Sequence, residues 1–441
     1  MIAKIVMFIA LFVAVGFITY MLFTKDATNK AYIKYTLISF PFLGIDLMPS
    51  IITFNLFDFL TITFMVLFFQ KKEYPLRASK VFNYLFLLFI INLIIGLVLA
   101  EENTRETGTS VIQVFSLFIF VRIFTLELIN SVSFKNEILL LLRGILIFSF
   151  IFLLCQFVFG PSFSFAKSEN INVSGGGSFR YPSFFQDPQK YAQFLAALSF
   201  LMFMNFTSNG DSKLKSGVYL AVLSILSLLL TGGRAGLGGW LAGIVLILFL
   251  GPAKYKGQIL FAALLIGLFT LYFQEQIPIF KRAGLEESYL FRQSIWKDAI
   301  GIFEGHPFFG IGIGNYANYV SLHHPDQFWI HDNEITFYDH PESGYLKILV
   351  EQGIIGFSLL FILILYPVCA SIIKYKKTKN IDNLNLVAAI ISWMIGFYTV
   401  YSFGDVRIKI LISTILVLTV ASSFKSNNSH NYNQSLVDVQ K

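Results

Sequence analysis

Charge is scarce in this chain: only 13% of its residues are Asp, Glu, Lys or Arg. With 56% of residues hydrophobic and a mean hydropathy of +0.68, too few charges remain to cover a water-facing surface of 441 residues. A cytosolic enzyme and a nucleic-acid-binding protein are excluded, and the composition is that of a membrane protein. Cysteine is nearly absent. Cys155 and Cys369 each lie inside a long apolar run, so neither a disulfide framework nor a Cys-x-x-Cys metal site is available. The first apolar run lacks a small-residue cleavage site at Phe23-Thr24-Lys25 and reads as a helix that stays. Internal repeats and heptads are missing, and the low-complexity sequence is confined to the Asn/Ser-rich end at 426–436.

What the chain has is apolar length. Runs able to cross about 30 Å of hydrocarbon lie near 3–23, 32–50, 53–70, 81–100, 110–130, 138–159, 189–206, 216–231, 234–250, 257–273, 344–371, 385–403 and 406–423. The expectation is an all-α polytopic membrane protein with about 12–13 transmembrane helices. The run 32–50, interrupted by Pro41, Asp46 and Pro49, is the candidate for a shallow or re-entrant segment; twelve spans would put the N-terminus inside and thirteen outside. The 33 Lys and Arg against 26 Asp and Glu leave a net charge of +7, and the surplus is local. Lysines and arginines gather at 71–80, 213–215, 254–256 and 374–379, which assigns those loops to the cytoplasm. The chain then divides into N-terminal helices (1–159), an outer loop (160–188), further helices (189–273), a long outer loop (274–343), C-terminal helices (344–423) and a cytoplasmic tail (424–441). Loop 274–343 is longer than a connection requires. Within it the spacing predicts an amphipathic helix over 289–303, with Ile295, Trp296, Ala299, Ile300 and Phe303 on one face.

Arginine at bilayer depth is costly and usually functional. Arg122 and Arg143 lie near the inner ends of their spans and read as span-end charges. Arg234, in Thr231-Gly232-Gly233-Arg234-Ala235-Gly236, is either another such charge or the guanidinium of an anion site at a helix N-terminus. Arg180 and Arg292 lie on the same side, one in each large loop, so three arginines can converge on a diphosphate whose lipid is in the membrane. The run Gly310-Ile311-Gly312-Ile313-Gly314-Asn315 has no Walker lysine; it reads as a tight turn, with a nest of N–H groups as the alternative. His323, His324, His331 and His340, with Asp326, Asp332, Glu334, Asp339 and Glu342, crowd the end of the long loop without the spacing of a zinc site, so no metal is assigned. His340 and Glu342, just before the next span, are the candidate bases.

These pieces in this order resemble the O-antigen ligase and polymerase superfamily of membrane glycosyltransferases. The resemblance rests on Phe179-Arg180-Tyr181-Pro182 with Asp187-Pro188, on Gly233-Arg234-Ala235-Gly236-Leu237, and on Arg292-Gln293-Ser294-Ile295-Trp296-Lys297-Asp298-Ala299 leading to His306-Pro307-Phe308-Phe309-Gly310. It closes on Glu342-Ser343-Gly344-Tyr345-Leu346 with Glu351-Gln352-Gly353-Ile354-Ile355-Gly356. It implies a GT-C-like multi-helix fold in the bacterial inner membrane with its active site facing the periplasm. The implied reaction is a metal-independent, inverting transfer of a growing undecaprenyl-diphosphate-linked glycan, with no cofactor. Arg180, Arg234 and Arg292 would hold pyrophosphate, while Glu342 or His340 activates the acceptor hydroxyl. Ligases of the superfamily carry a histidine at the place that counting back from Leu346 and Gly353 assigns to Glu342, which favours a polymerase acting on a lipid-linked repeat unit. A chain-length regulator and a flippase of the same pathway are the implied protein partners. The alternatives are a ligase delivering glycan to lipid A core or protein, and a transporter of small anions or a flippase.

Overall fold

The structure is a computed structural model that describes residues 2–23, 28–48, 54–69, 80–100, 105–160, 163–164, 180–204, 211–252, 256–257, 272, 285–324, 328–331, 334–338 and 340–424. Its helices are α1 (Ile2–Phe23), α2 (Thr28–Ile38), α3 (Leu56–Leu67), α4 (Lys80–Leu99), α5 (Arg105–Asn130), α6 (Val132–Phe159), α7 (Pro188–Leu201), α8 (Asp211–Leu230), α9 (Arg234–Leu250), α10 (Leu285–Gly305), α11 (Tyr316–His323), α12 (Gly344–Thr378), α13 (Ile381–Thr399) and α14 (Val406–Phe424). Among the described residues strand is confined to two hairpins, β1 (Asp46–Met48) with β2 (Phe54–Asn55) and β3 (Phe328–His331) with β4 (Glu334–Phe337). Among the described residues six helices, α4, α5, α6, α12, α13 and α14, are long and apolar enough to cross a membrane. The protein is an all-α, multi-pass membrane protein. The apolar run 257–273 lies almost wholly outside the described residues.

The re-entrant candidate 32–50 contains a short helix, α2, and the run 53–70, expected to span, holds only the short helix α3. At 1.5 Å per residue the 11 residues of α2 and the 12 of α3 are each too short to cross hydrocarbon. They pack back on each other: Tyr32 stacks on Phe64 with ring centroids 4.3 Å apart, and its hydroxyl lies 2.7 Å from Thr61 Oγ1. Helix α7 is also short, yet it is buried nearly all round, in contact with α6, α8, α9 and α13. Its start is fixed by Asp187, whose carboxylate accepts from Gln189 N (2.8 Å), with Pro188 in the first turn.

The contacts sort the helix termini into two ends. At one, Tyr375 Oη donates to Leu250 O (2.8 Å), Lys374 Nζ to Ser422 O (2.5 Å), and Lys135 approaches Asp382 (3.8 Å). At the other lie the start of α12 and the turn between α8 and α9.

Helix α12 is broken. Gly353 has φ 64° and ψ −174°, so the backbone groups around it lose their helical partners. The segment 307–312 replaces them: Ile311 N donates to Val350 O (3.0 Å) and Gly312 N to Glu351 O (3.0 Å). In return, Ile354 N donates to Pro307 O (2.9 Å) and Ile355 N to Phe308 O (3.3 Å). Gly310, Gly312 and Gly314 all have positive φ, and a Cβ on Gly310 would overlap the α12 backbone at Val350 and Glu351. The glycine run is therefore a docking turn. Its N–H groups at 311 and 312 are already bonded to α12, which disfavours the anion-nest alternative.

Helix α10 extends further than its amphipathic stretch implied, and its buried stripe is turned. Ala299 and Ile302 are buried against Ile311, Tyr316, Val320 and Val350, and Ile295 is buried too, whereas Ile300 is 45% exposed. The spacing 295, 299, 302 follows the helix axis past the glycine turn, which 300 does not.

Gly353→Ala is expected to lower the melting temperature of the detergent-purified protein sharply, because its Cβ would overlap Phe308 and its φ is left-handed. Gly301→Ala, on open space in α10, should leave the melting temperature unchanged or raise it, by about 0.5–1 kcal/mol of added stability. Differential scanning fluorimetry of both variants checks this.

Candidate active site

The loop before α12 brings three of the sequence candidates together. Arg292 Nη2 lies 3.4 Å from Glu342 Oε2, and His340 Nε2 lies 3.6 Å from Glu342 Oε1. Glu342 is thus placed between a cation and an imidazole, and it is held there with φ 49°, a left-handed conformation that few non-glycine residues adopt. Ser343 follows as the N-cap of α12, accepting from Leu346 N (3.4 Å). Partial burial and the Glu342 charge together raise the pKa of the Tyr338 phenol beside them.

Arg180 and Arg234 meet a different element, the turn Thr231-Gly232-Gly233 between α8 and α9. Arg180 is buried at 3% exposure and its Nε donates to Thr231 O (2.9 Å). Gly232 has φ 63°, and a Cβ there would lie 3.2 Å from Arg180 Nε, so the missing side chain is what lets the guanidine lie on the turn. Thr231 Oγ1 accepts from Gly233 N (3.0 Å), and Arg234 opens α9 directly after its Gly233 N-cap. Gly233 and Gly236 press against Ala192 of α7, where a Cβ would clash.

Helix α13 joins the two groups. It packs along α9, and its far end carries Tyr398, 5.9 Å ring to ring from Trp296 of α10, one turn beyond Arg292. Tyr401 follows, with the His340 ring 6.0 Å away and Lys347 Nζ 4.5 Å above its face. Lys347 in turn approaches Glu351 (3.6 Å). Arg292, Glu342 and His340 are in direct contact; Arg180 and Arg234 share a turn; Tyr401 and α13 lie between.

Four further residues were not singled out from sequence: Tyr401, Lys347, Asp405 and Arg407. Arg407 is 6% exposed and forms a fork with Asp405, Nε to Oδ1 at 2.8 Å and Nη2 to Oδ2 at 2.5 Å. Its Nη1 donates to Phe184 O (2.6 Å) and to Pro41 O (3.5 Å), and its guanidinium lies 4.6 Å from the Phe185 ring centre. This one side chain ties the α2–α3 turn, the loop after Arg180 and the α13–α14 connection together. The D-x-R spacing was the available signal.

The remaining candidates separate. Arg143 is buried and donates to Met202 O (3.2 Å) beyond the end of α7, a structural contact, while Arg122 is exposed. His323 and His306 flank Tyr319, at 4.3 Å and 5.7 Å. His331 and Glu334 are register partners in the β3–β4 hairpin. Asp326, Asp332 and Asp339 lie outside the described residues.

Residues 219–361 match the family model described as O-Antigen ligase. The match covers about a third of the chain and supports its place in the O-antigen ligase and polymerase superfamily, whose members are glycosyltransferase-like membrane enzymes. It includes Arg234, Arg292, His340, Glu342 and the Gly353 break, and leaves Arg180 and the α13–α14 connection outside. No curated protein matches the chain.

Burial pushes the Asp405 carboxyl up, but the Arg407 charge and its hydrogen bonds outweigh this and hold it below the ordinary carboxylate value. A lowered folded pKa contributes stability that is complete above about pH 4 and is lost as pH falls through the folded value. Asp405→Ala, which leaves a buried guanidinium unpaired, should cost about 3–5 kcal/mol. Chemical denaturation in mild detergent at pH 7 measures the loss, and the gap between wild type and variant should narrow in acid.

Proposed function

We propose that this protein is a polysaccharide polymerase that transfers a growing undecaprenyl-diphosphate-linked glycan onto a lipid-linked repeat unit at the periplasmic face of the bacterial inner membrane. The observation that carries this reading is Glu342 held between Arg292 and His340. The O-antigen ligase family match over the same residues supports the reaction class, and the lysine-rich opposite end supports the orientation.

In the proposed reaction the acceptor hydroxyl attacks the anomeric carbon of the donor glycan from the face opposite the diphosphate. The new glycosidic bond forms as the bond to the diphosphate oxygen breaks, with inversion. The hydroxyl proton passes to the Glu342 and His340 pair, and the electron pair of the broken bond leaves on the diphosphate. Arg180, Arg234 and Arg292 are assigned to that leaving charge, since planar guanidinium groups bind phosphate bidentately and need no metal partner. The register that places Glu342 where ligases carry a histidine favours a polymerase over a ligase.

Deletion of the gene should remove the glycan ladder and leave one repeat unit on core; complete loss of core-linked glycan, with lipid-linked chains accumulating, would mean a ligase instead. In the complemented deletion strain, Glu342→Gln should abolish chain extension with normal insertion, and His340→Ala should leave measurable activity. The reverse pattern would transfer the base role to His340 and favour the ligase. Arg180→Lys, Arg234→Lys and Arg292→Lys should each reduce polymerisation severely, because lysine supplies charge without the fork. A cysteine at Gln327 should react with an impermeant thiol reagent from the periplasmic side; protection would overturn the orientation.

A further inference from the structure

Tyr398 stands in the last turn of α13 and is 53% exposed, and its hydroxyl has no hydrogen-bond partner among the described residues. Exposed tyrosines at the ends of spans ordinarily anchor a helix at the membrane surface. Two observations set this one apart. The first is that it is held: Trp296 meets it edge to face, with ring centroids 5.9 Å apart and planes at 62°, which fixes the plane of the Tyr398 ring. Trp296 follows Arg292 by four residues on the same face of α10, so the aromatic pair lies one turn from the guanidinium that faces Glu342.

The second is its level along α9. A Cβ on Gly239 would meet Ser392 O and Gly396 N, and one on Gly243 would meet Ala388 O, so α9 and α13 run antiparallel at close range. Following that register back from Gly239 brings Arg234, the first residue of α9, level with the turn of α13 that carries Tyr398. The arginine turn, where Arg180 lies on Thr231, therefore flanks this end of α13 on one side and Arg292 flanks it on the other. A diphosphate shared by the two groups passes Tyr398, and the sugar it carries meets the ring. One face of a pyranose is made of C–H bonds with partial positive charge, which pack on the negative face of an aromatic ring while the hydroxyls stay free at the edge. Tyr401, three residues further on, faces His340, so the end of α13 leads from the ring towards the Glu342 and His340 pair.

We infer that Tyr398, oriented by Trp296, is the platform on which the pyranose joined to the donor diphosphate stacks. The inference rests on the polymerase reading and deepens it by naming the residue that receives the donor sugar.

The test is saturation-transfer difference NMR on the purified full-length protein in detergent. The probe is the oligosaccharide released by mild acid from the lipid-linked fraction of the deletion strain, whose reducing-end sugar is the one formerly joined to diphosphate. Irradiation of the aromatic protons should pass saturation chiefly to the ring C–H protons of that sugar. Tyr398→Ala and Tyr398→Leu should each lower the signal about tenfold, the second because leucine keeps the apolar bulk of a membrane anchor without an aromatic face, and Tyr398→Phe should keep it. Trp296→Ala should weaken it, whereas Trp296→Phe, which retains an edge against the Tyr398 ring, should restore most of it. Tyr219→Ala, which removes a tyrosine 74% exposed on α8, should leave it unchanged. No signal with the wild type, saturation centred on the other end of the probe, or a signal retained in Tyr398→Ala and Tyr398→Leu overturns the inference. Because the probe carries no leaving group, a protein that binds it at Tyr398 but extends no glycan would sink the polymerase reading and leave the platform standing. Chain extension by the wild type, with the NMR signal retained in both Tyr398 variants, would do the reverse.

Discussion

The break of α12 at Gly353 is the constraint around which the site is arranged. Inside a membrane a helix cannot interrupt its ladder without handing the freed N–H and C=O groups to another part of the protein. Here 307–312 takes them, with two bonds in each direction across the break. That exchange fixes where α10 ends, because His306 and Pro307 lead directly into it. It also stands Arg292, near the other end of α10, against Glu342, which precedes α12. The glycines at 310 and 353 are required because two backbones approach within hydrogen-bonding distance where any Cβ would intrude.

A second constraint is electrostatic and lies deeper. Arg407 and Asp405 are both buried, and an unpaired charge there would be costly; the fork between them, with Phe184 and Pro41 carbonyls on the remaining donors, satisfies the guanidinium. The three chain segments it holds include the one just after Arg180. The segment that follows Arg180 is therefore held from α14. Such outlying support is what keeps a catalytic arrangement within the tolerance that transition-state binding needs.

The membrane class and six of the expected spans were legible in the sequence because apolar length is a strong, local signal. Arg292, His340 and Glu342 were each singled out by position, and the short helix before Pro41 was marked by the prolines and Asp46, whereas its partner α3 read as a full span. What sequence could not supply was pairing. His340 and Glu342 read as rivals for one role, two residues out of register, whereas in three dimensions His340 faces one oxygen of the Glu342 carboxylate and Arg292 the other. The glycine run 310–314 and the closing Gly353 read as two separate motifs. They are one interlocked element, and no periodicity reports a contact between a loop and a helix break some forty residues later. Arg407 escaped notice because a single arginine at the start of an apolar run has the appearance of a span-end charge, and its partners are set by tertiary packing alone. The exposed Ile300 shows the same limit at smaller scale: an apolar stripe is defined by what it packs on, and the neighbour of α10 was a turn whose position the sequence did not reveal.

Glu342 carries the tension that the proposed reaction needs. A carboxylate oxygen that faces Arg292 is not open to an acceptor hydroxyl. Arg292 is also assigned to the leaving diphosphate, an acceptor with more charge and more oxygens than one carboxylate. Both cannot hold the same fork at full strength. Donor binding in the proposed site would draw Arg292 away from Glu342 and leave that carboxylate oxygen open to the acceptor hydroxyl. His340, 3.6 Å away on the other oxygen, remains as the partner that keeps Glu342 in place once the cation has moved. The left-handed backbone at Glu342 fits this division of labour, since a residue fixed by its main chain keeps its position while its side-chain partners are exchanged.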